Sequence, residues 1–260
     1  MMFTRSITIL FLLINMAACQ QSKPASSNST KDMTEKKPTS DKVFVMPVRK
    51  IKAGTSIEAF TTARDAYVAK LEAEKGTLTD REIQPFFDFT YSGLPLDSVY
   101  VGLTSFENPQ VFKAIGDKTG KMPEAAAFFS TFDFIAFEVL QPLDAGLDIN
   151  LAELAPKGSG NVWEIAIRDI SKYENFNQAD YEAKRDAYLK ILSEQEGFVR
   201  EIQWKSISDP NVVVGMTIYQ NASAVQSINS NQEFIKAYQA TGFIQNYPPN
   251  KFGMISNVLK

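Results

Sequence analysis

Three features of this 260-residue chain predict an α+β protein of two tandem βαββαβ units, at 43–143 and 161–260, packed sheet to sheet. A phrase is written twice, as RDAYVAKLEAEKGTLTDREIQ over residues 64–84 and RDAYLKILSEQEGFVREIQ over residues 185–203. Matches outside it stay collinear: Arg49-Lys50-Ile51 with Arg168-Asp169-Ile170, Gly102-Leu103-Thr104 with Gly215-Met216-Thr217, and Asn108 with Asn221. In both copies the hydrophobic period switches between strand and helix in the same order.

The first strand of each unit is predicted at 43–49 and 162–168, short runs rich in β-branched and aromatic residues. A helix follows at 57–74, with Ile57, Phe60, Tyr67, Val68 and Leu71 on one stripe, and its copy at 181–193 carries Tyr181, Tyr188, Leu189 and Leu192. Gly76 and Gly197 stand just past these helices, where a left-handed backbone costs glycine least. Strands are predicted next at 78–87 and 198–206, then at 98–106 and 212–219, joined by turn residues such as Gly93-Leu94-Pro95 and Asp209-Pro210-Asn211. Asn108 and Asn221 are N-cap candidates for a second helical region, and last strands are expected at 133–140 and 252–259. This is the ferredoxin-like order. Each unit covers one sheet face with helices and leaves the other bare, a patch well above the few hundred Å² a soluble monomer tolerates. A tandem chain supplies its own partner for that face, across a linker at 144–160.

Arg5, the apolar run 7–14 and the small residues before Cys19 form an export signal, too short to span a bilayer. Met16-Ala17-Ala18-Cys19 resembles a bacterial lipobox, which makes Cys19 the expected site of lipidation. Gln20 after it resembles the pattern sent to the outer membrane, facing the periplasm. Residues 20–42, rich in Ser, Lys, Pro and Thr and free of aromatics, read as a disordered tether. The expected partners are therefore a membrane, through the lipid, and a small apolar ligand; an oligomer is not required.

Beyond the tether the chain carries about −6, which argues against a nucleic-acid partner. Histidine is absent and Cys19 is the only cysteine, so the commonest general base and the usual metal ligands are missing. No metal and no cofactor is expected. Chemistry, if there is any, must run on carboxylates, Arg, Lys, Tyr or Ser.

Alternation along the strands separates two rows of side chains. Phe44, Met46, Val48, Ile83, Val99, Val101 and Leu103, with their second-copy equivalents, form the apolar row and are expected to face the helices. The other row is then expected between the sheets, where it forms a candidate ligand site: Arg49, Glu82, Gln84, Tyr100 and Thr104 in the first copy, Glu164, Arg168, Glu201, Gln203, Thr217 and Tyr219 in the second. Each Arg suits an anionic or carbonyl oxygen, and Glu82 and Glu201 become bases if burial raises their pKa; the same residues also suit a purely structural Arg–Glu pair. Arg64 and Arg185 are expected at the helix surface beside packed tyrosines, and Phe128, Phe129, Phe132, Phe134 and Phe137 in the core.

The βαββαβ order with its helix stripe, glycine and REIQ strand resembles the dimeric α/β-barrel superfamily, above all its antibiotic biosynthesis monooxygenase-like members. The resemblance implies an intrachain dimeric barrel and a family that includes cofactor-independent oxygenases and haem-degrading enzymes, the latter lacking their axial histidine here. It carries over no catalytic residues. The function expected is a lipid-anchored envelope protein that binds a small apolar or aromatic ligand, or a partner, between the sheets. The alternative is a cofactor-independent monooxygenase-like enzyme acting on a phenolic or quinone-like substrate.

Overall fold

Helix capping shows how closely the two copies follow one plan. In the computed structural model, which describes residues 41–90, 92–144 and 147–259, Ser56 caps α1 (Ile57–Glu72) by accepting from the Ala59 amide at 3.0 Å. Asn177 caps α5 (Gln178–Ser193) by accepting from the Asp180 amide at 3.0 Å. Gly76 and Gly197 end the turns after these helices with φ of 100° and 86°. A Cβ at either would strike the next helix, 2.5 Å from Val111 Cγ1 or 2.3 Å from Ala224 Cβ, so glycine is required both by φ and by space. The leader, Cys19 and tether residues 20–40 lie outside the described residues.

The strands of the first copy are β1 (Val43–Ile51), β2 (Thr77–Asp88), β3 (Val99–Phe106) and β4 (Phe132–Pro142), with α2 (Pro109–Thr119) and α3 (Pro123–Phe129) before β4. The short α4 (Leu151–Leu154) lies in the linker. The second copy has β5 (Val162–Asp169), β6 (Phe198–Ser206), β7 (Val212–Tyr219) and β8 (Phe252–Val258), with α6 (Ala222–Ser230), α7 (Gln232–Thr241) and α8 (Phe243–Asn246) before β8. Asn108 and Asn221 cap α2 and α6 as expected. Each second helical region is broken, at Gly120 to Met122 in the first copy and at Asn231 and the left-handed Gly242 in the second.

Hydrogen bonding runs β1-β3-β2-β8-β5-β7-β6-β4 and returns to β1, a closed barrel. Two seams join the copies. At one, β2 pairs with β8 from Ile83 opposite Val258 to Asp88 opposite Met254; at the other, β4 pairs with β6 from Leu140 opposite Ser206 to Pro142 opposite Trp204. The sheets thus meet at their edges as well as face to face, which removes strand edges that would otherwise invite pairing with other chains.

The apolar row fills the barrel. Phe44, Met46, Val48, Ile83, Val99, Val101 and Leu103 join Trp163, Ile165, Ile167, Ile202, Trp204, Val214, Met216 and Ile218 in one cluster that draws on both copies. This reverses the expected facing. The row expected under the helices lines the inside, and the mixed polar row, expected inside, lies under the helices. Alternation separates two faces without saying which is which, and the inner face is the drier one because water reaches only the ends of a closed barrel. Side chains on the helix layer can still reach solvent between helix and sheet.

The linker also takes part. Ile149, Leu151 and Ala155 are buried against the barrel cluster, and Arg81 donates from Nε to the Ala155 carbonyl at 2.6 Å. A non-strand segment can touch that interior only at an end, so residues 147–155 form a stopper.

Replacing Ile165, fully buried inside the barrel, with Ala is expected to cost about 2–5 kcal/mol in urea unfolding. Phe134→Ala, at a side chain 52% exposed, should change stability by only about 0.5 kcal/mol. Equal effects would contradict the placement of the core.

Candidate active site beneath the second helix layer

On the helix side of the first sheet, the expected residues form a closed ionic cluster. Arg49 Nη2 donates to both Glu82 oxygens, at 3.0 and 2.8 Å. Arg64 reaches the same carboxylate from α1 at 3.7 Å and also pairs with Asp65 at 2.6 Å. Arg64 is only 3% exposed, so its expected place at the surface is corrected: the α1 stripe turns it inward, toward a carboxylate that needs a second cation. Phe60, Phe128 and Phe132 stack around the Arg49 guanidinium at 5.3–5.8 Å. Gln84 donates weakly to the Tyr100 hydroxyl at 3.4 Å, and Thr104 donates to Asp80 at 2.5 Å. Burial raises the Glu82 carboxyl above its ordinary value, and Arg49 and Arg64 oppose that rise. Burial likewise lifts Asp80 to about 6. A cleft of about 180 Å³ opens beside this cluster, lined by Asp65, Glu72, Asp80 and Glu82 against Arg64 and Lys157.

The second copy uses the same strands differently. Arg168, 4% exposed, donates from Nε to the Tyr247 carbonyl at 2.8 Å and lies 5.0 Å from the Phe243 ring. Among the described residues no carboxylate lies within ion-pair distance of its guanidinium. Glu201 accepts from Thr217 and from Gln203, and Glu164 accepts from the Tyr219 hydroxyl at 2.9 Å. Desolvation pushes Glu201 up to about 8; its hydrogen bonds and Arg168 pull the other way, and nearby Glu164 adds to the rise. Burial raises Glu164 as well. As whole residues Glu164 and Glu201 are half-buried, with their carboxyl ends the desolvated part. Two polar atoms in it, the Tyr181 hydroxyl and Gln203 Oε1, are buried with no hydrogen-bond partner among the described residues. Unpaired buried groups of this kind call for an explanation, and a ligand supplies one.

The strand register explains the difference between the copies. Glu82 lies opposite Gly102 on β3, whereas the Glu201 of the matching REIQ phrase lies opposite Thr217 on β7. The residue opposite the equivalent Gly215 is Gln203, and the residue opposite Thr104 is Asp80. The phrase is therefore slipped by two residues between copies, which preserves the face and changes the neighbour. In the first copy a carboxylate bonds the arginine; in the second the residue at that strand position is an amide, which bonds Glu201 instead. Glycine at both positions admits these side chains, since a Cβ would lie 2.7 Å from Arg49 Nη2 at Gly102 or 2.9 Å from Glu201 Oε1 at Gly215.

All eleven expected ligand residues thus lie in the helix layers, in one cluster per repeat, and not between the sheets. Sequence reasoning missed Asp80 and Arg64 in the first cluster and Tyr181 and Tyr188 in the second. A signal was there for Tyr181. By strand register and helix cap, Val45, Phe60 and Phe106 correspond to Glu164, Tyr181 and Tyr219, so hydrocarbon gives way to polar groups at three places in the second copy.

No protein-family model matches the sequence, and no curated protein matches it. Solved structures do match. A candidate monooxygenase of Fusobacterium nucleatum is similar over 85% of this chain and 94% of its own, with a TM-score of 0.54 at 11% identity. An anthrone oxidase-like protein is similar over 86% and 94%, with a TM-score of 0.55 at 9% identity. A candidate chlorite dismutase is similar over 84% and 95%, with a TM-score of 0.54 at 8% identity. Likeness at such identity is likeness of fold, and these proteins are named for different reactions.

The raised Glu201 makes a stability prediction. The folded chain holds this proton up to about pH 8, while the unfolded chain releases it near the ordinary carboxylate value. The contribution is fully present below that lower value and is lost as pH rises through the upper one. Urea unfolding of Glu201→Gln should therefore gain on the wild type between about pH 5 and 9, and parallel curves would refute the shift.

Proposed function

We propose that this chain, whose fold is that of the dimeric α/β-barrel superfamily with both halves in one polypeptide, is a cofactor-independent oxygenase acting on a phenolic or quinone-like substrate beneath the second helix layer. The observation that carries the reading is a buried Arg168 bonded to no carboxylate and, in the same layer, a carboxyl, Glu201, that accepts from Thr217 and Gln203 and whose pKa is pushed to about 8. A base with that pKa is stronger than an ordinary carboxylate and still partly ionised at neutral pH. It would take the proton of an acidic phenol or enolisable ketone, and Arg168 would hold the oxyanion that results. Fold likeness to a candidate monooxygenase and an anthrone oxidase-like protein supports this reading over simple ligand binding.

In such a reaction the substrate is its own reductant. Deprotonation leaves an electron pair that dioxygen takes up. A ring methylene becomes a carbonyl: one oxygen atom enters the product, the other leaves with both methylene hydrogens as water, and no external electrons are needed. Tyr188, whose phenol burial holds well above its ordinary pKa, stays neutral and can donate a hydrogen bond to a bound ring oxygen, while Tyr219 spends its hydrogen on Glu164. We place the enzyme in the bacterial envelope, anchored through lipid on Cys19 and facing the periplasm, on the strength of the lipobox-like Met16-Ala17-Ala18-Cys19.

Oxygen uptake by the purified protein on a panel of anthrones and hydroquinones is the test. Turnover is expected, with kcat/KM rising tenfold per pH unit until it levels near pH 8 as Glu201 ionises. Arg168→Ala and Glu201→Gln should each lower kcat by about 10²–10⁴ with native melting curves; absence of uptake across the panel, or unchanged rates, removes the assignment. For the location, Cys19→Ser is expected to move the protein from the membrane to the soluble fraction, and retention on the membrane would refute the anchor.

A further inference from the structure

The halves of this chain share strands, glycines and an arginine, yet they offer a ligand opposite electrostatics. In the first, the Arg49 guanidinium is closed by two bonds to Glu82, at 3.0 and 2.8 Å, and surrounded by three phenylalanine rings. Its neighbouring cleft presents Asp65, Glu72, Asp80 and Glu82 against Arg64 and Lys157, which repels an anion. In the second, the residue in the place of Glu82 is Gln203. Its amide nitrogen is spent on Glu201, and its carbonyl oxygen is buried without a partner. Arg185, which corresponds to Arg64, is 17% exposed, pairs with Asp186 at 2.7 Å and lies 5.9 Å from the Tyr181 ring, with no ion pair to a strand carboxylate among the described residues. One cation therefore stays in the second site with no anion bonded to it, beside the unpartnered Tyr181 hydroxyl.

We infer that only the second half binds ligand, that it takes one singly charged aromatic oxyanion per chain, and that Gln203 is the residue that determines this by leaving Arg168 unpaired. The inference rests on the oxygenase reading for its ligand class and extends it to stoichiometry and selectivity. A glutamate at position 203 would recreate the ion pair of the first half. The first half shows that this strand position, opposite a glycine, accommodates that side chain. The closed pair would then compete with the ligand for Arg168, as an internal anion held at high effective concentration.

Titration of the full chain with 4-nitrophenol, whose visible absorption rises when it ionises, tests this without any oxidation. The wild type is expected to bind one equivalent as the phenolate, and Arg168→Ala to lose that binding. Gln203→Glu, with its melting curve recorded, should weaken binding by about 30-fold or more. Two equivalents, uptake as the neutral phenol, or full-strength binding by the folded Gln203→Glu variant would overturn the inference. Should that variant not fold, the stoichiometry and ionisation state in the wild type decide alone. Because no turnover is measured, phenolate binding without oxygen uptake would sink the oxygenase reading and leave this inference standing.

Discussion

The burial of two bare sheet faces in one shared apolar interior is the constraint from which the remaining architecture follows. A single βαββαβ unit would expose Met46, Leu103 and their neighbours. The second unit covers them with Trp163, Ile165, Trp204 and Met216. At roughly 25 cal/mol per Å² of apolar surface, covering such faces is a leading stabilising contribution. Closure at the β2–β8 and β4–β6 seams then pairs strand edges that would otherwise be free, and the linker segment seals one end. The interior is largely apolar, and the carboxylate that strand register puts on its face, Glu138 opposite Met46, is buried and closed by Lys251 at 2.5 Å. The indole nitrogens of Trp163 and Trp204 find no partner among the described residues. Polar chemistry is driven to the outer face of each sheet, beneath the helices.

Much of this was legible in the sequence because duplication repeats each local signal. Two helices with the same stripe, two glycines needed at positive φ and two asparagine caps fix the order of elements, and a bare face fixes the need for a partner. The facing was not legible, because period two defines a pair of faces with no label on either. The most apolar row was expected under the helices, yet it fills the barrel, and Arg49, Glu82 and Glu164 lie in the helix layer. Arg64 illustrates a second limit. An arginine beside tyrosines on a helix normally lies at the surface, and only the register of β2 shows that Glu82 waits beneath it.

The register slip carries the functional consequence. Identical letters, REIQ, place a glutamate opposite glycine in one copy and opposite threonine in the other. Sequence comparison aligns like with like and so hides that the residue opposite the glycine is Glu82 in the first half and Gln203 in the second. The first half pairs Arg49 with Glu82, leaving only the arginine's Nε without a partner among the described residues. The second half keeps its arginine unbonded to any acid and its carboxyls desolvated, and accepts a less satisfied polar layer in return.

The central claim is that the ligand lies outside the barrel, against Arg168 and beneath α5. Crystals of the protein grown without oxygen and soaked with a hydroxyanthracene would test it most directly. The account predicts electron density for one ring system per chain, its oxygen within hydrogen-bond distance of the Arg168 guanidinium and Glu201. Density inside the barrel, or against Arg49, would contradict it.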